Sequence, residues 1–185
     1  MKDDQSRVEA SVYLGILISS PLTGMFVVKS ANPKIAIVFG SLICSFSSFF
    51  SPALSNTVFG FMWARAIFGS GLGMLSIALF HLLSFWIPKQ EFTRSVMLLA
   101  GARYAGLMFS DLWTDVLTKV YSWEATFYWF SIIPLFFLPL WAYVVCRSPQ
   151  HHPSITPSEL NFLTANAAPP EPHCLFLLSP FLLPF

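Results

Sequence analysis

Charge is what this sequence has least of. Only 10% of its 185 residues are Asp, Glu, Lys or Arg, against about 25% in an ordinary soluble domain. So few charges cannot solvate a globular surface, so water is not the chain's main solvent. The formal net charge is +1 and no basic stripe stands out, which excludes the electrostatic footprint of a nucleic-acid-binding protein. Cysteine is scarce as well. Cys44, Cys146 and Cys174 lie far apart with no partner at metal-ligand spacing, so they read as packing residues and no metal site is expected. The opening MKDDQSR alternates in sign and lacks the positive start of a secretory signal, so the first apolar run is expected to stay in the mature protein as a spanning segment.

What the sequence has is apolar length: 55% of its residues are hydrophobic. A bilayer core about 30 Å thick takes roughly 20 mostly apolar residues per helical crossing. Five such runs can be drawn, at 10–28, 35–54, 58–86, 95–118 and 125–145, the fourth being the weakest because Arg103, Asp111 and Asp115 interrupt it. The short connections KSANPK, SPALSNT, IPKQEFTR and KVYSWE make neighbouring helices antiparallel. The expected fold class is therefore an all-α membrane protein of about five transmembrane helices. Residues 1–147 form this bundle. From 148 the chain turns polar and proline-rich (SPQHHPSITPSEL), and 148–185 is expected to be a disordered cytoplasmic tail. Its last apolar stretch is too short to span and is broken by Pro180 and Pro184.

Basic residues orient the bundle. Lys29 and Lys34 occupy the first connection, Lys89 and Arg94 the third, and Arg147 follows the last helix, whereas the second connection has no positive charge. The positive-inside rule puts those three sites in the cytoplasm, the amino terminus outside or in a lumen, and the carboxyl terminus inside.

The stretch RAIFGSGLGM, 65–74, raises the functional question. A guanidinium a third of the way into a spanning helix costs about 2.5–3.5 kcal/mol even on the lenient insertion scale. Two offsets are open: snorkelling to the outer surface, or a polar cavity between helices where an anion or a carboxylate pairs with it. The rise from Val58 to Arg65, seven residues or about 10 Å, is near the limit of an arginine stem and favours the cavity. Gly69 and Gly73 are four residues apart and share a face that offers a neighbouring helix close approach, while Gly71 lies off it. A phosphate loop is rejected, because the pattern is G-x-G-x-G inside a helix and not G-x-G-x-x-G after a strand.

Other polar groups within the spans have two readings each. Arg103, with Tyr104, either lines the same cavity as Arg65 and attracts an anion, or pairs with another helix. Asp111 and Asp115 form an i, i+4 pair expected to face water toward the outer end, the other reading being a proton or cation site. His81 reads as a buried or interfacial histidine, and His151 and His152 have no second ligand pair. No enzyme is expected. Ser70 and His81, eleven residues apart on one helix, are separated by about 16 Å, and no other catalytic arrangement occurs at useful spacing.

In combination these features carry a resemblance. Arg65, Gly69, Gly71 and Gly73 resemble the R-x-x-x-G-x-G-x-G motif in the fourth helix of major facilitator superfamily transporters. The segment SFWIPKQEFTRS after His81 resembles the W-x-P-x-x-E-R connection of the anion/cation symporter branch, the sialin, vesicular glutamate and sodium-dependent phosphate transporter family, with Trp86, Pro88 and Glu91 in register and the basic residue two positions late at Arg94. RYAG, SWEATFYWF, SPQHHPSITPSELNFL and, upstream, GMFVVKSANPK are similar to further motifs of that branch, in order, over about 10–162. The chain departs from the pattern at Leu72, where the branch usually carries a glutamate, and at Val28, where an acid is often found.

The resemblance implies that the five spans correspond to helices two to six of the amino-terminal half. It further implies ion-coupled alternating access for an organic or inorganic anion. Arg65, Arg103 and Tyr104 would bind the substrate, Lys29, Lys34, Glu91 and Arg94 would form a cytoplasmic gate, and Na⁺ or H⁺ would be the coupling ion, with no other cofactor. Partners would be a small anionic solute and the lipid bilayer of the plasma membrane or a vesicle. Two alternatives stay open: a truncated, non-transporting isoform that associates with a full-length relative or with itself, and a structural multi-pass protein whose arginines only make ion pairs.

Overall fold

The computed structural model describes residues 2–30 and 32–146, together with Thr156, Leu163 and Asn166. The expected tail, 148–185, and Arg147 otherwise lie outside the described residues. Five helices follow one another: α1 (Lys2–Ser30), α2 (Pro33–Leu54), α3 (Val58–Trp86), α4 (Lys89–Val120) and α5 (Trp123–Val144).

Their ends follow local chemistry. Pro33 opens α2 at a position whose N–H has no helical acceptor in any case. The Thr57 hydroxyl caps α3 by accepting from the Gly60 N–H at 3.2 Å, and Ser122 caps α5 by accepting from Ala125 N–H at 3.4 Å. Pro88, extended at φ −60° and ψ 149°, is the N-cap of α4. That placement corrects one boundary. The segment IPKQEFTR is a connection only at Ile87 and Pro88, and Lys89, Glu91 and Arg94 stand on the first turns of a helix. A proline halts the incoming helix but pre-sets the next one, which propensity along the string does not separate.

Four of the five helices are long and apolar enough to cross a membrane: Ser6–Val27, Pro33–Leu54, Val58–Trp86 and Trp123–Val144. The fourth helix, α4, has 32 residues, about 48 Å of rise, but its charges break the apolar run. Of the five spans expected, α4 is thus the one that composition alone does not carry, although it is fully helical.

At the centre of the bundle, α3 packs against α1 on one side and α2 on the other, and α5 packs on α2. At the margin, α4 has Leu117 as its buried residue. Val27, Ala36, Ile37, Ala78 and Leu82 form a small core, on which Trp86, Trp141 and Val145 rest. The Trp86 indole donates to the Cys146 carbonyl at 3.3 Å. These contacts bring the α1–α2 connection, the α3–α4 junction and the end of α5 to one end of the bundle. Elsewhere large apolar side chains face outward, Phe136 being 85% exposed. In lipid that exposure costs nothing, because the acyl chains are as apolar as the side chains.

Close approach on both sides of α3 rests on glycines. A Cβ on Gly69 would strike the Val12 carbonyl, and one on Gly73 would strike Ser19 and the Ile16 carbonyl, so both belong to the α1 contact. A Cβ on Gly71 would meet Cys44 Sγ at 2.6 Å and the Gly40 carbonyl at 2.8 Å, on α2. The three glycines thus serve two partner helices. Gly15 on α1 and Gly40 on α2 complete the two crossings from the other side.

Candidate functional site

Arg65 stands on α3 and is half-buried. Its guanidinium carbon lies 5.1 Å from the ring centre of Phe61, one turn before it, 5.8 Å from Phe68, one turn after, and 4.8 Å from Phe127 of α5. All three are within cation–π range, and their negative ring faces offset part of the charge's lost hydration. Phe127 is held in place by edge contacts with Phe61 at 6.1 Å and Trp123 at 5.9 Å. Among the described residues no carboxylate forms an ion pair with Arg65.

The guanidinium lines a cavity of about 590 Å³ between four helices. From α2 come Ser41, Cys44, Ser45 and Ser48, and from α3 Arg65, Phe68, Leu72 and Leu75. Ser110, Thr114 and Thr118 face it from α4, and Trp123, Thr126, Phe127, Phe130 and Pro134 from α5. Among the described residues the lining holds one permanent cation, a set of hydroxyls and no Asp or Glu. Leu72, the departure from the resembled pattern, is one of its walls. Such a cavity presents uncompensated positive charge beside neutral hydrogen-bond donors, an arrangement suited to an anion.

The other residues singled out in the sequence are distributed differently. Arg103 and Tyr104 are both exposed, Tyr104 at 57%, and neither lines the cavity with Arg65. The cavity takes its α4 wall two to four turns later, at Ser110, Thr114 and Thr118. Gly69, Gly71 and Gly73 are packing residues in the crossings described above. Lys34 is half-buried at the start of α2, whereas Glu91 and Arg94 are exposed on the first turns of α4. Lys29 lies at the end of α1, and its side chain is outside the described set. The connections bearing these charges share one end of the bundle. His81 is buried, 7% exposed, edge-on to Phe85 at 5.0 Å. Asp111 and Asp115 are exposed, and Asp115 faces Lys119 at 3.9 Å.

Sequence reading missed the aromatic cage and the hydroxyl wall. Ser41, Ser45 and Ser48 recur at i, i+4 and i+7 in an apolar span, a spacing that marks one helix face. The aromatics were invisible for a different reason: Phe61 and Phe68 flank Arg65 by helical spacing, but Phe127 reaches it from a helix 62 positions later.

Known proteins with similar sequences agree with this architecture. A family profile described as the Major Facilitator Superfamily matches residues 8–183. The chloroplastic ascorbate transporter of Arabidopsis thaliana is 26% identical over 166 residues, 89% of this chain and 30% of that protein. The chloroplastic sodium-dependent phosphate transport protein 1 of the same plant is also 26% identical, across 89% of this chain and 32% of its own length. Sialin of Ovis aries is 24% identical over 165 residues, 89% of this chain and 33% of the relative. The chain spans about a third of the length of the curated relatives it matches. A match over nearly the whole sequence and an all-helical bundle with membrane-length apolar helices make this chain a multi-pass membrane protein that belongs to the Major Facilitator Superfamily.

Proposed function

We propose that the chain is the substrate-binding part of a secondary anion transporter, not an enzyme, and that Arg65 attracts the negative charge of the solute. The observation that supports this most is the cavity itself: one half-buried guanidinium, no acidic residue in the lining, and no carboxylate on Arg65 among the described residues. A structural arginine in a membrane normally faces an acid or a backbone carbonyl. Here its neighbours are aromatic faces, which stabilise the cation without cancelling its field. The names of the relatives, which include ascorbate, phosphate and anion transporters, support an anionic solute.

In this reading the solute binds between helix bundles and crosses by alternating access, driven by a Na⁺ or H⁺ gradient. Lys29, Lys34, Glu91 and Arg94, carried near one end of the bundle, act as a cytoplasmic gate, and the amino terminus faces outward or into a lumen. Arg103 and Tyr104, on the open face of α4, meet the solute from a second bundle's side. A further reading draws on the exposed α4: the chain does not transport alone and completes its pathway by associating with a full-length relative or with itself.

The test is uptake of labelled phosphate, ascorbate and sialate into proteoliposomes holding the 185-residue chain, with Arg65→Ala alongside. Saturable uptake lost in the variant supports the transport reading. Absence of uptake by inserted, helical protein, regained on co-reconstitution with a full-length relative, moves the conclusion to the associating form. Uptake that survives Arg65→Ala removes Arg65 from the site.

A further inference from the structure

The hydroxyls of this protein mostly spend their proton on a carbonyl one turn back. Ser41 donates to the Ile37 carbonyl at 2.8 Å, Ser51 to Ser47 at 2.8 Å, Ser76 to Leu72 at 2.9 Å and Ser131 to Tyr128 at 2.7 Å. Ser47 donates across the bundle to the carbonyl of Ala64. Among the described residues, two buried hydroxyl oxygens have neither kind of partner. Ser45 Oγ and Thr126 Oγ1 are buried, their residues 2% and 8% exposed, and have no hydrogen-bond partner in the structure. Both residues belong to the lining of the cavity that holds Arg65.

An idle buried hydroxyl is costly, and two on neighbouring helices that line one cavity mark groups kept for something that enters it. Ser45 comes from α2 and Thr126 from α5, directly before Phe127, whose ring flanks the guanidinium at 4.8 Å. The cation fixes the sign of the ligand. The hydroxyls add what a bare charge cannot, namely donors in fixed directions.

We infer that Ser45 and Thr126 are specificity-determining donors that select an oxyanion, a phosphate, carboxylate or sulfate group with several oxygen acceptors, over a spherical halide at the Arg65 cavity. The inference rests on the reading of Arg65 as an anion site and adds the chemical class of the anion. A multi-oxygen group can face the guanidinium with one oxygen and accept from both hydroxyls with others. A halide also accepts from a hydroxyl, but as a single and weaker acceptor centre it cannot meet the guanidinium and both hydroxyls with separate atoms.

The experiment is equilibrium binding of inorganic phosphate and of iodide to the full chain in bilayer discs of neutral lipid. It uses the parent, Ser45→Ala, Thr126→Val, the double variant and Arg65→Ala. The parent is expected to prefer phosphate. Each hydroxyl removed is expected to weaken phosphate binding by about tenfold or more and iodide, a weak acceptor, far less, so that the double variant loses most of the discrimination. Arg65→Ala is expected to lose both ions. Because the variants delete unpaired groups, their melting temperatures without ligand should equal or exceed the parent's. Lower values would mean that the hydroxyls have protein partners, and would overturn the inference.

Phosphate and iodide weakened alike by the hydroxyl variants, with Arg65→Ala still abolishing both, would overturn the oxyanion selection and leave the Arg65 site standing. No anion binding, or binding indifferent to Arg65→Ala, would overturn the Arg65 reading and the inference with it. Repeating the titration in discs of anionic phospholipid separates the sources. Unchanged phosphate affinity supports a free oxyanion, and competition by the lipid supports the same site filled by a headgroup phosphate.

Discussion

The guanidinium of Arg65 on α3 sits 4.8 Å from the ring centre of Phe127 on α5, beside the edge contact of that ring with Phe61. A desolvated cation–π pair of this kind is worth about 0.5–2 kcal/mol. A double-mutant cycle with Arg65→Met and Phe127→Leu, read by denaturation of the helical signal, should return a coupling in that range. Additive losses would show that the ring is packing beside the charge without stabilising it.

The glycines of α3 make a sharper contrast. Gly69→Ala drives a methyl into the Val12 carbonyl, backbone that cannot move aside, and should destabilise the bundle by about 1–3 kcal/mol. At Gly101 and Gly106 of α4 nothing lies within 4 Å of where a methyl would stand, so alanine there should be neutral or stabilise by up to about 1 kcal/mol through helix propensity. Thermal melts of the three variants decide it. Equal effects at Gly69 and Gly101 would contradict the close α1–α3 crossing.

The two contrasts show what a string of residues reveals. Hydropathy and length locate four spans to within a few residues, because a bilayer imposes that length. Arg65 is legible because a charge in an apolar run is rare. Gly69 and Gly73 announce a packing face, but Gly15 across the α1 crossing and Gly40 opposite Gly71 on α2 do not, since a lone glycine in a helix carries no period. The helical start at Lys89 was hidden by Pro88, and the exposure of Arg103 by the weak packing of α4. Phe127, Ser45 and Thr126 are ordinary residues until folding sets them around one cavity.

Leu72 allows the charge of the cavity to be cancelled on purpose. It stands seven residues after Arg65 and lines the same space, so a carboxylate there, about two turns away, can reach toward the guanidinium and neutralise it. Leu72→Glu should weaken phosphate binding by about tenfold or more, as an opposite charge takes the place of the ligand. Leu72→Gln, equal in size and uncharged, should retain most of it. Similar losses in both variants would point to lost packing at Leu72 instead of charge.

Orientation follows from which connections share an end. Trp86, Ala36 and Val27 meet in one core cluster, so the α1–α2 connection and the α3–α4 junction lie together, and antiparallel succession puts Asn56, between α2 and α3, at the opposite end. Lys34, Lys89 and Arg94 are at the first end and the connection bearing Asn56 has no basic residue, from which the positive-inside rule predicts a cytoplasmic first end. With the native cysteines replaced, Asn56→Cys should react with an impermeant maleimide applied to intact cells, and Gln90→Cys only after permeabilisation. The reverse pattern would turn the bundle over and carry Lys34, Glu91 and Arg94 to the outer surface, where they could not gate the cytoplasmic side. Labelling of both sites from one side would be more damaging, because two ends of α3, a 29-residue helix about 43 Å long, can share a compartment only if α3 does not cross the membrane.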